Sequence, residues 1–259
     1  MNIHKITSQL MAFTLLTLLV AFSAMAADYE QEFNVAAGGK LNVKIESGSI
    51  KIQTHNTATA LVEARITGRD SDDFSINSDL KGNSLKVRGE LEGRSWNRDL
   101  KVELTITIPK EFDIEVDTSG GSIEISDLNG NVIAHTSGGS INVGTIKGDV
   151  RLDTAGGSIR TEDVYGSLNA HTSGGSIRVT FAEQLKDDAK LDTSGGSITA
   201  YLIEDVKVDL DASTSGGRVK TDFAVTGSVK KRSIRGEING GGPTLKLRTS
   251  GGSVKVLSL

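Results

Sequence analysis

The sequence of 259 residues has no cysteine, two prolines, one tryptophan and only 4% aromatic residues. Without cysteine the chain cannot form a disulfide scaffold, a cysteine-ligated zinc or iron–sulfur centre, or the active site of a cysteine enzyme. A formal net charge of −4 argues against a dedicated nucleic-acid-binding protein. The sequence contains no cofactor-binding motif and no catalytic constellation that breaks its repeats, so we expect no cofactor and no enzymatic activity.

Residues 1–26 are typical of a signal peptide. Lys5 gives a weakly positive start, an apolar run extends from Leu10 to Phe22, and Ala24-Met25-Ala26 matches the small-x-small pattern of a cleavage site. A retained N-terminal anchor is the alternative, although the run is short for a membrane span. No integral membrane segment is expected after cleavage. We therefore expect an exported, periplasmic protein, with secretion or surface association as alternatives.

Seven copies of one motif organise the rest of the chain. The motif reads Thr-Ser/Ala-Gly-Gly-Ser/Arg-Ile/Val, and successive copies start 18, 18, 18, 21, 21 and 35 residues apart. The copies begin at Thr118, Thr136, Thr154, Thr172, Thr193, Thr214 and Thr249. Such a period is typical of a solenoid, in which each unit stacks on its neighbours. The residues added around 184–188 and around 203–208 therefore predict loops.

Each repeat unit predicts two short strands. Apolar and polar residues alternate from Ile114 to Thr118 and again from Ile123 to Ile125. Gly120-Gly121 separates the two strands, and Asp127–Gly130 turns the chain into the next unit. We expect the corner glycines to supply the positive φ angles of tight turns.

The predicted fold is all-β: a parallel β-solenoid, or flattened β-helix, with two strands in each rung of about 18 residues. The motif threonines are expected to point inward, where they form a hydroxyl ladder or cap the corner backbone. The corner residues Leu128, Ile146 and Val164 are also expected to be buried.

Residues 27–110 are strand-like but less regular, and we assign them to an N-terminal β cap and early rungs. Within them Lys81–Ser84 is typical of a hairpin turn. Residues 111–259 form the repeat solenoid, and we expect the two parts to make one continuous body. A cap is needed because the open end of a solenoid exposes strand edges.

Several segments resemble a known family. Ile108-Pro109-Lys110 leads into Ile114-Glu115-Val116, and Gly236–Pro243 precedes the last copy of the motif. With the Gly-Ser-Ile pieces, these segments resemble the bacterial β-strand-repeat family labelled "putative adhesin", a domain of unknown function. The resemblance covers roughly residues 30–258. It implies the fold, and it brings no catalytic residues with it.

One outward column, just before each motif, alternates aspartate and histidine. It reads Asp117, His135, Asp153, His171, Asp192, Ser213 and Arg248. A structural interpretation is that alternation keeps like charges apart on neighbouring strands. Because aspartate and histidine are also metal ligands, the first five residues are candidates for a divalent metal site. A pH-sensitive interaction face is the third possibility.

A second outward column becomes basic toward the C-terminus. It reads Glu124, Asn142, Arg160, Arg178, Thr199, Lys220 and Lys255. Lys230, Lys231, Arg232 and Arg235 add charge to the same end of the chain. Arg160, Arg178, Lys220 and these four residues are candidates for an interaction surface that binds anionic glycans, lipid headgroups or an acidic protein. An ordinary solvated face is the alternative.

We therefore expect a non-catalytic, exported, adhesin-like or scaffold protein that presents solenoid faces to an envelope protein or a glycan. One alternative is a glycan-active enzyme of the cell envelope, with carboxylates clustered beside the loop at 184–188 or 203–208. Another alternative is a weakly metal-binding or pH-responsive surface protein.

Overall fold

The structure, a computed structural model, describes residues 29–93 and 99–259. The predicted signal peptide lies outside the described residues. Within those ranges, no helix is long and apolar enough to cross a bilayer. The elements are β-strands, apart from a short 3-10 helix at Ser71–Asp73.

The strands are numbered in chain order. The N-terminal strands are β1 Tyr29–Asn34, β2 Gly39–Ile45, β3 Ser49–His55, β4 Thr59–Thr67, β5 Phe74–Lys81, β6 Ser84–Leu91, β7 Lys101–Pro109 and β8 Phe112–Thr118. The central strands are β9 Ile123–Ile125, β10 Val132–Thr136, β11 Ile141–Val143, β12 Val150–Thr154, β13 Ile159–Asp163, β14 Leu168–Thr172, β15 Ile177–Phe181, β16 Ala189–Thr193 and β17 Ile198–Leu202. The C-terminal strands are β18 Val208–Thr214, β19 Val219–Thr221, β20 Thr226–Lys230, β21 Ser233–Ile238, β22 Thr244–Thr249 and β23 Val254–Ser258.

The strands form two long sheets. Sheet A has 11 strands in the order β1-β4-β7-β3-β9-β11-β13-β15-β17-β23-β19, and sheet B has 12 in the order β20-β21-β18-β22-β16-β14-β12-β10-β8-β2-β6-β5. From β8 to β17 the chain alternates between the sheets, and successive rungs pair in parallel. Val132 of β10, for example, lies between Ile114 of β8 and Val150 of β12. The predicted parallel β-solenoid with two short strands per rung is confirmed.

The core fills the space between the two sheets. The apolar residues of each strand are buried and the residues between them face outward, as in the buried-exposed-buried pattern of Ile141–Val143. The predicted inward corner residues Leu128, Ile146 and Val164 are buried and bridge one another. Because a slip of one residue would expose this whole set, burial fixes the register of every strand.

Each motif threonine is buried beneath a Gly-Gly corner. Thr172 Oγ1 donates to the carbonyl oxygen of Gly157 at 2.7 Å, and it accepts a bond from the Gly175 N–H at 3.2 Å. The same donation to the neighbouring rung is made by Thr136, Thr154, Thr193, Thr214 and Thr249. The threonines therefore cap the corner backbone, and they do not form a hydroxyl ladder.

The corner glycines are needed for close stacking. The expectation that they supply positive φ angles holds at Gly121 but not in the later copies of the motif, where φ stays outside the left-handed region. A Cβ atom on Gly139, Gly157 or Gly175 would instead lie under 3.0 Å from backbone atoms of the preceding rung. The second glycine of each corner is thus required by the spacing between rungs.

Two side-chain ladders that the sequence analysis missed support the corners. At the motif corner, the Ser158 N–H donates to Ser140 Oγ at 3.1 Å. At the opposite corner, the Asn131 N–H donates to Asp113 Oδ1 at 2.9 Å, and the Asp149 N–H donates to Asn131 Oδ1 at 2.9 Å. The signal was a spacing of 18 residues between side chains that can accept hydrogen bonds.

The terminal rungs are not stacked in chain order. The β2/β3 rung lies between β8/β9 and β6/β7, and the β22/β23 rung lies between β16/β17 and β18/β19. The 35-residue spacing before the last motif copy contains the antiparallel hairpin β20–β21, which covers β18 at the end of sheet B. At the other end, the predicted Lys81–Ser84 turn joins β5 to β6.

The two inserted segments are loops, as predicted, and they contact each other. Gln184 Oε1 accepts the Lys207 N–H at 2.8 Å, and Gln184 Nε2 donates to the Lys207 carbonyl oxygen at 2.8 Å. The Gln184 side chain therefore continues the hydrogen bonding between neighbouring rungs into the loops.

Candidate functional site

The outer face of sheet B carries the Asp/His ladder, which we define as Asp117, His135, Asp153, His171 and Asp192. The register places each of these residues opposite the next on five neighbouring strands. His171 Nδ1 lies 3.5 Å from Asp192 Oδ1, and Asp153 accepts from Arg151 Nε at 3.1 Å. The described part of the chain contains no group of three His, Asp or Glu side chains placed to hold a metal ion. The metal site and the pH-sensitive face stay predictions.

Cationic residues lie at both ends of the Asp/His ladder. Lys44 is opposite Asp117 at one end, and Arg248 is opposite Asp192 at the other. Chain order had placed Ser213 ahead of Arg248, but the insertion of β22 beside β16 reverses the two. Each terminal carboxylate thus faces a cation, which supports the structural interpretation of the alternation.

The outer face of sheet A carries a basic stripe, which we define as Arg160, Arg178, Lys255 and Lys220. These side chains occupy one outward column on β13, β15, β23 and β19, and Thr199 of β17 lies between Arg178 and Lys255. The column crosses four strand spacings, or roughly 19 Å. All four cations are exposed. Lys255 was in the predicted column, but the structure moves it ahead of Lys220.

The basic stripe has no internal counter-charge. Within residues 29–93 and 99–259, none of its four side chains has a carboxylate within the 4.0 Å of an ion pair. The half-buried Tyr201 and Leu257 lie opposite each other in the neighbouring outward column. The outer face of sheet A therefore combines cationic side chains that lack a carboxylate partner among the described residues with an aromatic and an aliphatic side chain.

The same column is acidic toward the N-terminal end of the stack. Glu30 lies opposite Glu63, and Glu124 lies opposite Lys51 with an ion pair of 3.2 Å. Nearby, the hydrogen bond from the Lys101 ammonium group, 2.7 Å away, lowers the pKa of Glu103 below its ordinary value. Along this one column, carboxylates therefore outnumber cations at the N-terminal end, whereas the charged residues at the C-terminal end are all cations.

The remaining basic candidates do not join the stripe. Lys230, Lys231 and Arg232 surround the turn of the β20–β21 hairpin, and we call them the basic turn. The carbonyl oxygens of Lys231 and Arg232 accept from the N–H groups of Val219 and Thr214, both at 3.0 Å, so the turn is held against both sheets. Arg235 lies on the outer face of sheet B, where its Nε is 3.0 Å from Asp211 Oδ1.

An open groove adjoins one end of the stripe. The strands β9 and β11 have three residues each, whereas β3 and β13 on either side are longer. The resulting groove encloses about 630 Å³ and is lined by Glu124, Asn142, Arg160 and Glu162 among others. Its lining carries both signs of charge.

The carboxylates expected near the loop at 184–188 have structural partners. Asp187 and Asp188 border an open depression together with Asp149. Asp188 Oδ1 accepts the Thr244 N–H at 2.7 Å, and Asp149 Oδ1 accepts the Ser167 N–H at 2.9 Å. Two of the three carboxylates thus support backbone at corners, which favours a structural role over acid–base chemistry.

The family model of the Toastrack domain of unknown function, DUF4097, matches residues 39–165 and again residues 131–257. Together the two matches extend from β2 to β23. The chain belongs to this family. The resemblance found in the sequence is confirmed, and the overlapping matches fit a Toastrack chain built from one repeated unit.

Three solved structures are similar to this Toastrack chain. One, a "putative cell adhesion protein" from Clostridium sporogenes, is 13% identical with a TM-score of 0.42, over 89% of this chain and 99% of the other. A "putative adhesin" from Bacteroides fragilis is 16% identical with a TM-score of 0.26, over 89% and 96%. A "putative lipid binding protein" from Parabacteroides distasonis is 12% identical with a TM-score of 0.28, over 89% and 96%. No curated protein matches the sequence.

Proposed function

We propose that the protein is an exported, non-catalytic binding protein of the bacterial cell envelope, most simply periplasmic, and that the basic stripe contacts its partner. The observation that carries the proposal is the set of four exposed cations in one column without carboxylate partners. Unpaired like charges on a rigid surface create a potential that attracts an anion. Residues 1–26 supply the basis for export.

The partner that fits this surface is an anionic glycan. The stripe runs along the solenoid axis on the outside of a sheet, so it offers a linear track to a long chain with recurring charges. Tyr201, half-buried in the next column, provides an apolar ring face beside the cations, and sugar rings pack on such faces. An enclosed small-molecule pocket would require a different surface.

A binding role without catalysis is supported by the partners of the carboxylates. Glycoside hydrolysis needs two carboxyl groups that converge on one bond. In the depression beside residues 186–188, Asp149 and Asp188 instead accept backbone N–H groups of neighbouring rungs. A mutation that freed either carboxylate would first weaken a corner.

The test is binding of polygalacturonate, an anionic polysaccharide, measured by titration calorimetry over a series of salt concentrations. The native protein should bind, and binding should weaken as salt rises because the contacts are ionic. The double variant Arg178→Glu/Lys255→Glu should bind at least about tenfold more weakly, a loss of about 1.4 kcal/mol. Neutral dextran should not bind.

The matched control reverses two lysines on the opposite face. Lys190 and Lys246 lie opposite each other on β16 and β22 at the outer face of sheet B. The variant Lys190→Glu/Lys246→Glu has the same change in net charge and should bind like the native protein. Equal losses in both double variants would show that only net charge matters and would contradict the proposal. Binding to vesicles containing phosphatidylglycerol, but not to the polysaccharide, would reassign the stripe to a lipid surface.

A further inference from the structure

The two ends of the solenoid are stepped in opposite sheets, by one strand at the N-terminal end and by two strands at the C-terminal end. At the N-terminal end, sheet A continues one strand beyond sheet B, because β7, β4 and β1 follow β3 whereas only β6 and β5 follow β2. At the C-terminal end, sheet B continues two strands beyond sheet A, because β21 and β20 follow β18 whereas β19 ends sheet A. Among the described residues, each of the edge strands β5 and β20 has one hydrogen-bonded neighbour.

The edge strands run in directions that allow them to pair. The strands β2, β6 and β18 are parallel members of sheet B, β5 is antiparallel to β6, and two successive antiparallel steps make β20 parallel to β18. If a second copy continues the stack in the same orientation, β20 of one copy meets β5 of the next in antiparallel fashion. Antiparallel addition to an exposed edge is a common mode of association between β proteins.

Apolar side chains on the core side are left open at both ends. Val229 of β20 lies opposite Ile234, which is buried, yet Val229 itself is 61% exposed. At the other end Tyr29 and Phe33 of β1 lie opposite the buried Ala64 and Ala60, and both aromatic rings are only half-buried. A stacked copy would place these residues in one continuous core, and burial of apolar area would stabilise the contact.

The charges at the two ends are opposite and correctly placed. The basic turn follows β20 at the edge of sheet B where the Gly-Gly corners lie, since Arg232 is bonded to Thr214. Asp72 precedes β5 at that same edge, because Phe74 is opposite Leu91 at the end of β6. On sheet A the outward column ends in Lys220 at one end and in Glu30 at the other. Continued stacking therefore brings unlike charges together on sheet B, and on sheet A it places Lys220 two strand spacings, roughly 10 Å, from Glu30 of the next copy.

We propose that copies of this chain stack head to tail, with β20 of one copy pairing with β5 of the next, to form linear rods in which sheet B runs on from copy to copy. In sheet A, a gap one strand wide then separates β19 from β1 of the next copy. The contact is heterologous and displaces each copy along the stack axis, so the assembly stays open and grows by addition of further copies. This assembly is separate from the glycan-binding role of the basic stripe.

The first test is sedimentation velocity of the native protein over a range of concentrations and salt. We expect a series of species that grows with concentration and shrinks as salt rises. The variant Val229→Lys, which places a charge in the proposed contact, should be monomeric. Ile133→Lys is the matched control, because Ile133 is also an exposed apolar residue, at 47%, but lies on the outer face in the middle of sheet B. It should assemble like the native protein.

A second test measures the recovery of assembly when two charge-reversed variants are mixed. One variant reverses the basic turn, Lys230→Glu/Lys231→Glu/Arg232→Glu, and the other reverses the acidic end, Glu30→Lys/Glu32→Lys/Asp72→Lys. Each variant alone carries like charges at its two ends and should stay monomeric, whereas a mixture should form alternating rods. A native protein that remains monomeric at low salt, association that stops at a dimer, or a mixture that stays monomeric would each overturn the proposal.

Discussion

A single methyl group at Gly139 should destabilise the solenoid, whereas the same group at Gly138 should not. A Cβ on Gly139 would lie under 3.0 Å from the Gly121 carbonyl carbon and oxygen and from the Ser122 nitrogen. These are backbone atoms that cannot rotate away, so the two rungs must separate locally. At Gly138 the nearest atom is the Gly120 Cα at 3.8 Å, an ordinary contact.

The size of the effect follows from the contacts that separation would stretch. Overpacking costs about 1–3 kcal/mol. Separation of the rungs would also lengthen the bond from the Ile123 N–H to the Ser140 carbonyl, 2.9 Å, and the bond from Thr136 Oγ1 to the Gly121 carbonyl, 2.9 Å. Each hydrogen bond contributes about 1 kcal/mol. We expect Gly139→Ala to lower the free energy of unfolding by about 3 kcal/mol.

Gly138→Ala has the opposite expected sign. Its φ is not in the left-handed region, so alanine fits the native backbone and removes conformational freedom from the unfolded chain. A stabilisation of about 0.4–1 kcal/mol is expected. Thermal unfolding followed by circular dichroism would compare the two variants, at about 2–4 °C in Tm per kcal/mol. Equal Tm shifts for Gly138→Ala and Gly139→Ala would refute the claim that rung spacing requires the second glycine.

Three further predictions concern two threonine hydroxyl groups and one carboxyl group. Thr172→Val should lower the free energy of unfolding by about 1–3 kcal/mol in urea titrations, because it leaves the Gly157 carbonyl and the Gly175 N–H without their partner. Thr172→Ser keeps the hydroxyl group and should keep most of the stability. Thr161→Val should instead raise the free energy of unfolding by about 1 kcal/mol in the same assay, because the buried Thr161 Oγ1 has no hydrogen-bond partner. Val143 already occupies the equivalent position on the neighbouring strand, so valine fits there. A loss of stability would contradict this reasoning. Lys101→Ala should raise the pKa of Glu103 toward its ordinary value, because the hydrogen bond from the ammonium group is removed, and an NMR titration of the Glu103 side chain would detect the change. Since the folded-state pKa of Glu103 is lowered, the native pair stabilises the fold above the ordinary pKa, and this contribution is lost as the pH falls through the lowered value.

The repeat spacing is sufficient to predict the rungs but not their order in space. Alternation around Ile123 and the Gly-Gly corners predicts strands, burial and the inward threonines, because these properties are local to each unit. Every rung offers its neighbour the same hydrogen-bonding edge, so nothing in the motif specifies that β22 lies beside β16. That choice depends on how the hairpin β20–β21 returns the chain, which is a tertiary property.

The same limit applies to the candidate surfaces. The outward column that contains the basic stripe follows from alternation within each strand, so its members could be predicted. The cation Lys44 at one end of the Asp/His ladder could not, because its position depends on the insertion of β2 beside β8. The expected φ values at the corners were wrong in most copies. Glycine is required both where φ is positive and where two backbones approach too closely for a Cβ atom, and the sequence alone does not distinguish these two requirements.

The most direct test of the central claim is to map where an anionic glycan contacts the native protein. Chemical shifts would be recorded for isotopically labelled protein as polygalacturonate is added, with neutral dextran as the control. We expect changes at the basic stripe and at Tyr201 on the outer face of sheet A, with little change at the Asp/His ladder. Changes confined to the Asp/His ladder, or no changes at either face while the protein remains folded, would contradict a binding role for the basic stripe.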